Sequence, residues 1–137
     1  MEDEACRKGN IEVVELMIKK GAIIDFNTAL LEACRLGGVK IAKLMIEKGA
    51  NDLNGGLLVA CKHHNVEIAK LMIEKGATDL NGGLLTACEN NSVVLAKLMF
   101  DKGATNLNKA LHIAALHGSH QVIKLLIEKG VTTFEDN

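Results

Sequence analysis

The chain has 137 residues, of which 48% are hydrophobic and 24% are charged, and its formal net charge is −1 at pH 7. These values predict one globular domain with a sizeable core, and they exclude global disorder and the basic footprint of a nucleic-acid-binding protein. No apolar run approaches the roughly 18 residues of a membrane span. Residues 1–4 (MEDE) begin no apolar segment, so we expect neither a secretory signal nor a membrane partner.

An internal repeat dominates the sequence. The motif LMIEKGA and its close variants occur at residues 44–50, 71–77, 98–104 and 125–131. From Gly49 onward the motif glycines are 27 residues apart, and Gly21 precedes Gly49 by 28, with the extra residue near Ile23 or Ile24. A period of this length is typical of solenoids. It divides the chain into a single array with units at approximately 1–21, 22–49, 50–76, 77–103 and 104–130, followed by a C-terminal cap at 131–137.

Each complete unit carries the pattern of two short helices. An Asn preceded by a large apolar residue opens the first helix in four units, at Phe26-Asn27, Leu53-Asn54, Leu80-Asn81 and Leu107-Asn108. We predict that the Asn is the N-cap, because its side-chain oxygen accepts an orphan backbone N–H, and that the apolar residue is a hydrophobic staple. Polar or glycine-containing links follow at residues 37–38, 64–65, 91–92 and 118–119.

The second helix follows each link and runs over residues 66–75 in the third unit. It ends with Lys and then Gly in every unit, which suits the helix dipole and the left-handed C′ position. Only Glu67 and Lys70 are polar within residues 66–73, and one partner helix cannot bury so much apolar surface. Neighbours on both sides can, which predicts stacked units. A column of small residues lets successive helices approach closely, at Ala42, Ala69 and Ala96.

Residues 108–130 resemble the ankyrin repeat. Residues 109–112 (KALH) lie where that family carries Thr-Pro-Leu-His, residues 113–118 (IAALHG) match its x-Ala-Ala-x-x-Gly, and residues 122–130 (VIKLLIEKG) match its second helix and closing glycine. The other units look like the same repeat further diverged, and the first unit matches only from residues 5–6 onward. The resemblance implies an all-α fold, an ankyrin-like α-solenoid of about five stacked helix-turn-helix repeats.

The units depart from the family in length and in two motif positions. They have 27 residues where the family has 33, and the missing residues fall where the family projects a β-turn finger. We therefore expect short loops in place of the fingers. The Pro of the family motif is replaced at Ala29, Gly56, Gly83 and Ala110. The motif His, which ties the long loops together in the family, remains only as His112.

Four cysteines occupy one repeat column, at Cys6, Cys34, Cys61 and Cys88, with Ala115 in the last unit. Stacked helices lie roughly 8–10 Å apart, beyond the about 4.4–6.8 Å between Cα atoms that a disulfide allows, and no CxxC spacing supports a zinc site. We predict small buried residues that are exchangeable with alanine. Free thiols in this role indicate a reducing compartment, so we expect an intracellular, cytoplasmic protein.

No constellation of residues points to catalysis. The patterns GxSxG, GxGxxG and GxxxxGK[ST] are absent, so we predict a protein that is not an enzyme and uses no cofactor or metal. A metal or small-molecule site at His117 and His120, which flank a turn, is the remote alternative. The glycine pairs at residues 55–56 and 82–83 weakly resemble anion-binding helix starts, but we favour tight packing or tolerance of the first turn.

Charged residues of the second helix recur four apart. The pairs are Lys43/Glu47, Lys70/Glu74, Lys97/Asp101 and Lys124/Glu128. This spacing places both partners on one helix face, where each pair contributes a few tenths of a kcal/mol, about 0.2–0.5. We interpret these columns as a solvated surface.

Three columns of the first helix vary between units, whereas the stacking positions recur. The columns are Glu32, Val59, Thr86 and Ile113; then Arg35, Lys62, Glu89 and Leu116; then Leu36, His63, Asn90 and His117. The first two columns are three residues apart and share a helix face. In the family this face lines the concave groove, so the resemblance implies that the chain binds another protein there. The alternatives are neutral surface variation, a structural spacer, or a designed or reconstructed array without a natural partner. We expect the chain to be a monomer.

Overall fold

A computed structural model describes residues 2–130, with side chains from residue 11 onward, and this range contains helices and no strands. The helices α1 to α9 span, in order, Glu2–Lys19, Phe26–Leu36, Val39–Glu47, Leu53–Lys62, Val66–Lys75, Leu80–Glu89, Val93–Asp101, Leu107–Leu116 and His120–Glu128. The all-α class predicted from the sequence is confirmed. The predicted C-terminal cap at 131–137 lies outside the described residues.

Eight of the described helices form four pairs, α2/α3, α4/α5, α6/α7 and α8/α9. Links of two or three residues join the helices of a pair, which makes them antiparallel neighbours. Successive pairs stack in chain order. Residues 48–52, 76–79 and 102–106 connect one pair to the next, so short loops do replace the family's fingers.

The array curves toward its first helices. The helices α2, α4, α6 and α8 pack closely on one another, whereas α3, α5, α7 and α9 make fewer contacts with their counterparts in neighbouring repeats. Because the first helices are packed more closely, they lie on the inner, concave side of the solenoid. The α-solenoid architecture predicted from the repeat is therefore confirmed.

The first unit is a single uninterrupted helix, α1, rather than a helix pair. Its residues 9–10 align with the link at 37–38, yet the helix continues through them. In two later units a side chain of the link donates to a carbonyl of the preceding repeat: Asn65 Nδ2 lies 2.6 Å from Cys34 O, and Ser119 Oγ lies 2.5 Å from Cys88 O.

Two columns of large apolar side chains form the core. They are Leu30, Leu57, Leu84 and Leu111 on the first helices, and Met45, Met72, Met99 and Leu126 on the second helices, all at most 1% exposed. The predicted small-residue column is also confirmed, because Ala42, Ala69 and Ala96 are completely buried. Each repeat thus completes its core with side chains from its neighbours.

The Lys-Gly helix ends adopt the predicted left-handed conformation. Gly76 has φ 121°, which a residue with a Cβ rarely adopts. Its N–H donates to Ile73 O at 3.1 Å, and the next N–H, of Ala77, donates to Met72 O at 2.8 Å. This pair of bonds is the Schellman motif, and it satisfies carbonyls that the helix end would otherwise leave unpaired.

The helix N-termini differ from the prediction by two residues. Aspartates are the caps: the Oδ1 atoms of Asp25, Asp52 and Asp79 accept the N–H of the residue three positions later at 3.0–3.1 Å. The predicted caps Asn27, Asn54 and Asn81 lie inside their helices, and Asn106, not Asn108, holds the cap position of α8. The predicted staples Phe26, Leu53, Leu80 and Leu107 are the first helical residues, so they cannot act as staples. A carboxylate suits this position because it also complements the positive end of the helix dipole.

The asparagines instead clamp each repeat to the next. Asn81 Oδ1 accepts the N–H of Thr105 at 2.8 Å and the N–H of Asn106 at 3.0 Å, and its Nδ2 donates to Thr105 Oγ1 at 3.3 Å. Asn27 and Asn54 make equivalent contacts with residues 51–52 and 78–79 at the ends of the two preceding loops, although Asn27 Nδ2 donates to Asn51 Oδ1 instead of a threonine hydroxyl. We call these contacts the asparagine clamps. They hold the short loops in register where the family uses a histidine.

Replacing Asn81 by alanine is expected to lower the free energy of unfolding by about 2 kcal/mol, because two backbone N–H groups lose their acceptor. Urea denaturation followed by circular dichroism measures the change. Replacing Thr105 by alanine is the matched control, since it leaves both backbone bonds in place, and we expect a change within about 0.5 kcal/mol. Equal effects of the two substitutions would contradict the role of the amide oxygen.

Candidate functional site

Side chains of the links bond to the C-terminal end of the first helix of the preceding repeat. Asn65 Nδ2 donates to Arg35 O at 3.1 Å as well as to the neighbouring Cys34 carbonyl. Ser119 Oγ likewise donates to the carbonyl of Cys88, two repeats further along the array. These bonds join one helix end to the following repeat, so equivalent side chains of successive first helices form columns across the solenoid.

The three variable columns lie on the accessible side of the first helices, opposite the buried leucines. We call the twelve positions of these columns the concave face. Its exposed members are Glu32, Arg35, Leu36, Lys62, His63, Glu89, Leu116 and His117, and its half-buried members are Val59, Thr86, Asn90 and Ile113. Leu116 is 81% exposed and Leu36 is 57% exposed, which is unusual for large apolar side chains.

At the N-terminal end of the concave face, two opposite charges neutralise each other. Arg35 Nη2 lies 2.8 Å from Glu32 Oε2, one helical turn away. The hydrogen bond and the positive charge of the guanidinium lower the pKa of Glu32. Both side chains are exposed, so solvent screens this pair and it contributes little to the stability of the fold.

Several polar groups of the concave face are occupied by their own helix. Thr86 Oγ1 donates to Gly82 O at 2.9 Å, and Asn90 Nδ2 donates to Thr86 O at 2.8 Å. His117 Nδ1 lies 3.0 Å from Ile113 O, and because a carbonyl only accepts, this nitrogen carries the proton and donates. These groups are therefore less available to a partner than the sequence alone suggests.

The side chains of Lys62, His63 and Glu89 behave differently. All three are exposed, and none has a hydrogen-bonding or ionic partner among residues 11–130. Polar side chains that point to solvent without internal bonds can contact a partner without breaking anything. They are the polar groups of the concave face best placed for recognition.

The three described cysteines of the repeat column are buried, as predicted. Cys34, Cys61 and Cys88 are free thiols with 0% exposure, and burial raises the pKa of each to about 12. Ala115 holds the column in the last described repeat and is exposed, whereas the side chain of Cys6 lies outside the described residues. Within those residues no group of three or more His, Cys, Asp or Glu side chains is arranged to hold a metal ion.

The paired glycines serve packing. A Cβ on Gly83 would lie 2.7 Å from Met99 Sδ and 3.5 Å from Cys61 Sγ, and Gly56 is enclosed in the same way in the preceding repeat. The N–H groups of Gly55 and Gly82 already donate to the capping aspartates, so they are not free for an anion. Of the two interpretations favoured from the sequence, tight packing and tolerance of the first turn, the close contacts of Gly56 and Gly83 support tight packing.

We call the exposed side of the second helices, α3, α5, α7 and α9, the outer face, and it carries fewer of the predicted ion pairs than the spacing suggested. Lys97 Nζ lies 3.3 Å from Asp101 Oδ2, as predicted. Lys70 lies 3.8 Å from Glu67 rather than pairing with Glu74. The pairs predicted at 43/47 and 124/128 do not form in the described part of the chain, because a solvated Lys gains little from holding one geometry.

The described helices include none that is both long enough and apolar enough for a membrane span.

A family model for three copies of the ankyrin repeat matches residues 57–136. A model for a single ankyrin repeat matches residues 25–55. No curated protein matches the chain. Ankyrin repeats are generally protein–protein interaction modules and non-catalytic scaffolds. Because the matches extend over four helix pairs whose stacking agrees with them, the chain belongs to the ankyrin-repeat family.

Proposed function

We propose that this chain is a non-catalytic scaffold that binds another protein through the concave face. One observation carries the proposal: three columns that vary between repeats lie on the accessible side of the inner helices. Positions needed for stacking recur because every repeat must fit its neighbours. Stacking does not constrain the exposed side chains of the concave face, so their identity can instead be determined by contact with a partner.

The proposal includes an intracellular, cytoplasmic location and a monomeric chain. The three buried free thiols support a reducing compartment, since disulfides form and persist in oxidising ones. The core columns from α2 to α9 are closed by side chains of the same chain, which supports folding without a second copy. Sedimentation of the purified chain at micromolar concentration measures the monomer directly.

The binding site is tested by replacing Arg35, Lys62 and Glu89 together with alanine. We expect proteins captured from a native lysate by the original chain to be depleted at least tenfold on this variant, while its melting temperature stays within about 2 °C. The three side chains are exposed, and among residues 11–130 the only ion pair removed is the Arg35–Glu32 pair, which is weak. Quantitative mass spectrometry of the captured proteins provides the measurement.

A matched variant carries three alanines on the outer face, at Lys43, Lys70 and Glu74, which are also exposed. It removes the same number and kinds of charge from the opposite side of the solenoid. If both variants capture the same proteins as the original chain, the concave face is not the site. If the original chain captures nothing, a structural spacer becomes the better description.

A further inference from the structure

Along the concave face, side chains of different charge and polarity follow one another in a fixed order. The second column begins with Arg35, whose charge is neutralised by Glu32. It continues with Lys62, a free cation beside exposed His63, and then with Glu89, a free anion. It ends with the 81% exposed side chain of Leu116. One repeat separates each of these chemistries from the next, so the face reads cation, anion and apolar residue in sequence.

The spacing of these side chains matches an extended polypeptide in the polyproline II conformation. Stacked helices lie roughly 8–10 Å apart, and a polyproline II segment advances about 3.1 Å per residue with three residues per turn. Every third residue of such a segment therefore returns to the same side about 9 Å further along and meets the same column of the next repeat. The first two columns are only one helical turn apart, about 5–6 Å between Cβ atoms. A strip of that width accommodates a polyproline II segment better than an α-helix, whose diameter with side chains is about 10–12 Å.

We infer that the concave face recognises an extended protein segment with an acidic, a basic and an apolar residue at three-residue intervals. The acidic residue contacts Lys62, the basic residue contacts Glu89, and the apolar residue packs on Leu116 and the half-buried Ile113. The geometry fixes this order in space and leaves the direction of the segment open. The inference rests on the proposed function, for which it specifies the chemistry of the partner.

The probe is a set of four fluorescein-labelled peptides with identical composition. Two carry the basic residue in the centre, Glu-Pro-Pro-Lys-Pro-Pro-Leu and its reversed sequence. Two carry the acidic residue there, Lys-Pro-Pro-Glu-Pro-Pro-Leu and its reversed sequence. The prolines favour the polyproline II conformation. Binding to the full chain is followed by fluorescence polarisation in 50 mM NaCl.

We expect the better peptide with a central Lys to bind about tenfold more tightly than either peptide with a central Glu. Matching contacts replace two like-charge contacts on an exposed surface, and each such contact has a modest effect. The preference should fall below about twofold in 0.5 M NaCl, where exposed charges are screened. Equal binding of all four peptides, or a preference for a central Glu, overturns the inference.

A charge exchange within the column provides the decisive variant. The double variant K62E/E89K keeps the net charge and is expected to prefer the central Glu by a similar factor. The control K43E/E47K exchanges charges on exposed residues of the outer face and should keep the original preference. An unchanged preference in K62E/E89K overturns the assignment of these residues.

Failure of this inference is distinguishable from failure of the proposed function. If none of the four peptides binds at millimolar concentration, the extended segment is overturned. The extended segment is also overturned if the charge preference appears only with peptides that carry the three residues at seven-residue intervals, because that spacing aligns side chains on one face of a helix. In either case the lysate capture with the alanine variants still decides whether the concave face binds a protein.

Discussion

Raising the pH from 8 to 10 is expected to lower the free energy of unfolding by about 4 kcal/mol. Burial raises the pKa of Cys34, Cys61 and Cys88 to about 12 in the folded chain, whereas an unfolded thiol titrates near its ordinary value of 9.0. Between these values the folded chain retains three protons that the unfolded chain releases. Stability is therefore fully present below about pH 9 and is lost as the pH rises toward 12, by about 1.4 kcal/mol per thiol and pH unit.

Urea denaturation at a series of pH values measures this loss. The matched protein carries alanine at the three buried cysteines and is otherwise identical, so the difference between the two pH profiles isolates the buried thiols. We expect the triple variant to be less stable at pH 8, because buried sulfur atoms are removed, and to lose much less stability up to pH 10. Parallel pH profiles for the two proteins would show that the thiols are not buried as described.

Replacing Leu84 by alanine is expected to lower the free energy of unfolding by about 3 kcal/mol. Leu84 is completely buried in α6, which packs on α4, α7 and α8. The asparagine clamps of the repeats on both sides hold the surrounding helices in place, so the cavity cannot close by a simple collapse. The measurement is urea denaturation followed by circular dichroism at pH 7.

Leu116 supplies the control for this substitution. It is a leucine of α8 in the same array, but it is 81% exposed, and its replacement by alanine should change the free energy of unfolding by less than about 0.5 kcal/mol. A loss below about 1 kcal/mol for Leu84→Ala would contradict a core completed from neighbouring repeats. A large loss for Leu116→Ala would contradict its exposure on the concave face.

The helices and their ends were predictable wherever local sequence determines them. The second helix of the third unit was predicted over the residues that α5 occupies, because its apolar pattern and its Lys-Gly end are local signals. The caps were not predicted correctly, since Asp79 and Asn81 both suit the start of a helix. Recurrence showed that Asn81 is constrained. It did not show that the constraint is a loop 24 residues further along the chain.

The candidate site was likewise predictable only in part. Exposure of the variable columns followed from the repeat, because stacking positions recur and surface positions need not. The engagement of Thr86, Asn90 and His117 with their own helix depends on side-chain rotamers, which repeat spacing does not determine. Lys62 and Glu89 stand out from their columns only once the other polar groups are seen to be occupied.

The asparagine clamps also set a rule for where the chain tolerates insertions. A clamp joins residues 24 and 25 positions apart, so an extra residue between Asn54 and Thr78 would displace the amide from its backbone donors. The one irregular interval in the array obeys this rule. Its additional residue lies near Ile23, before the first clamp at Asn27, and the side chain of Ile23 is fully exposed. Differences in length between repeats are therefore confined to segments that no asparagine clamp spans.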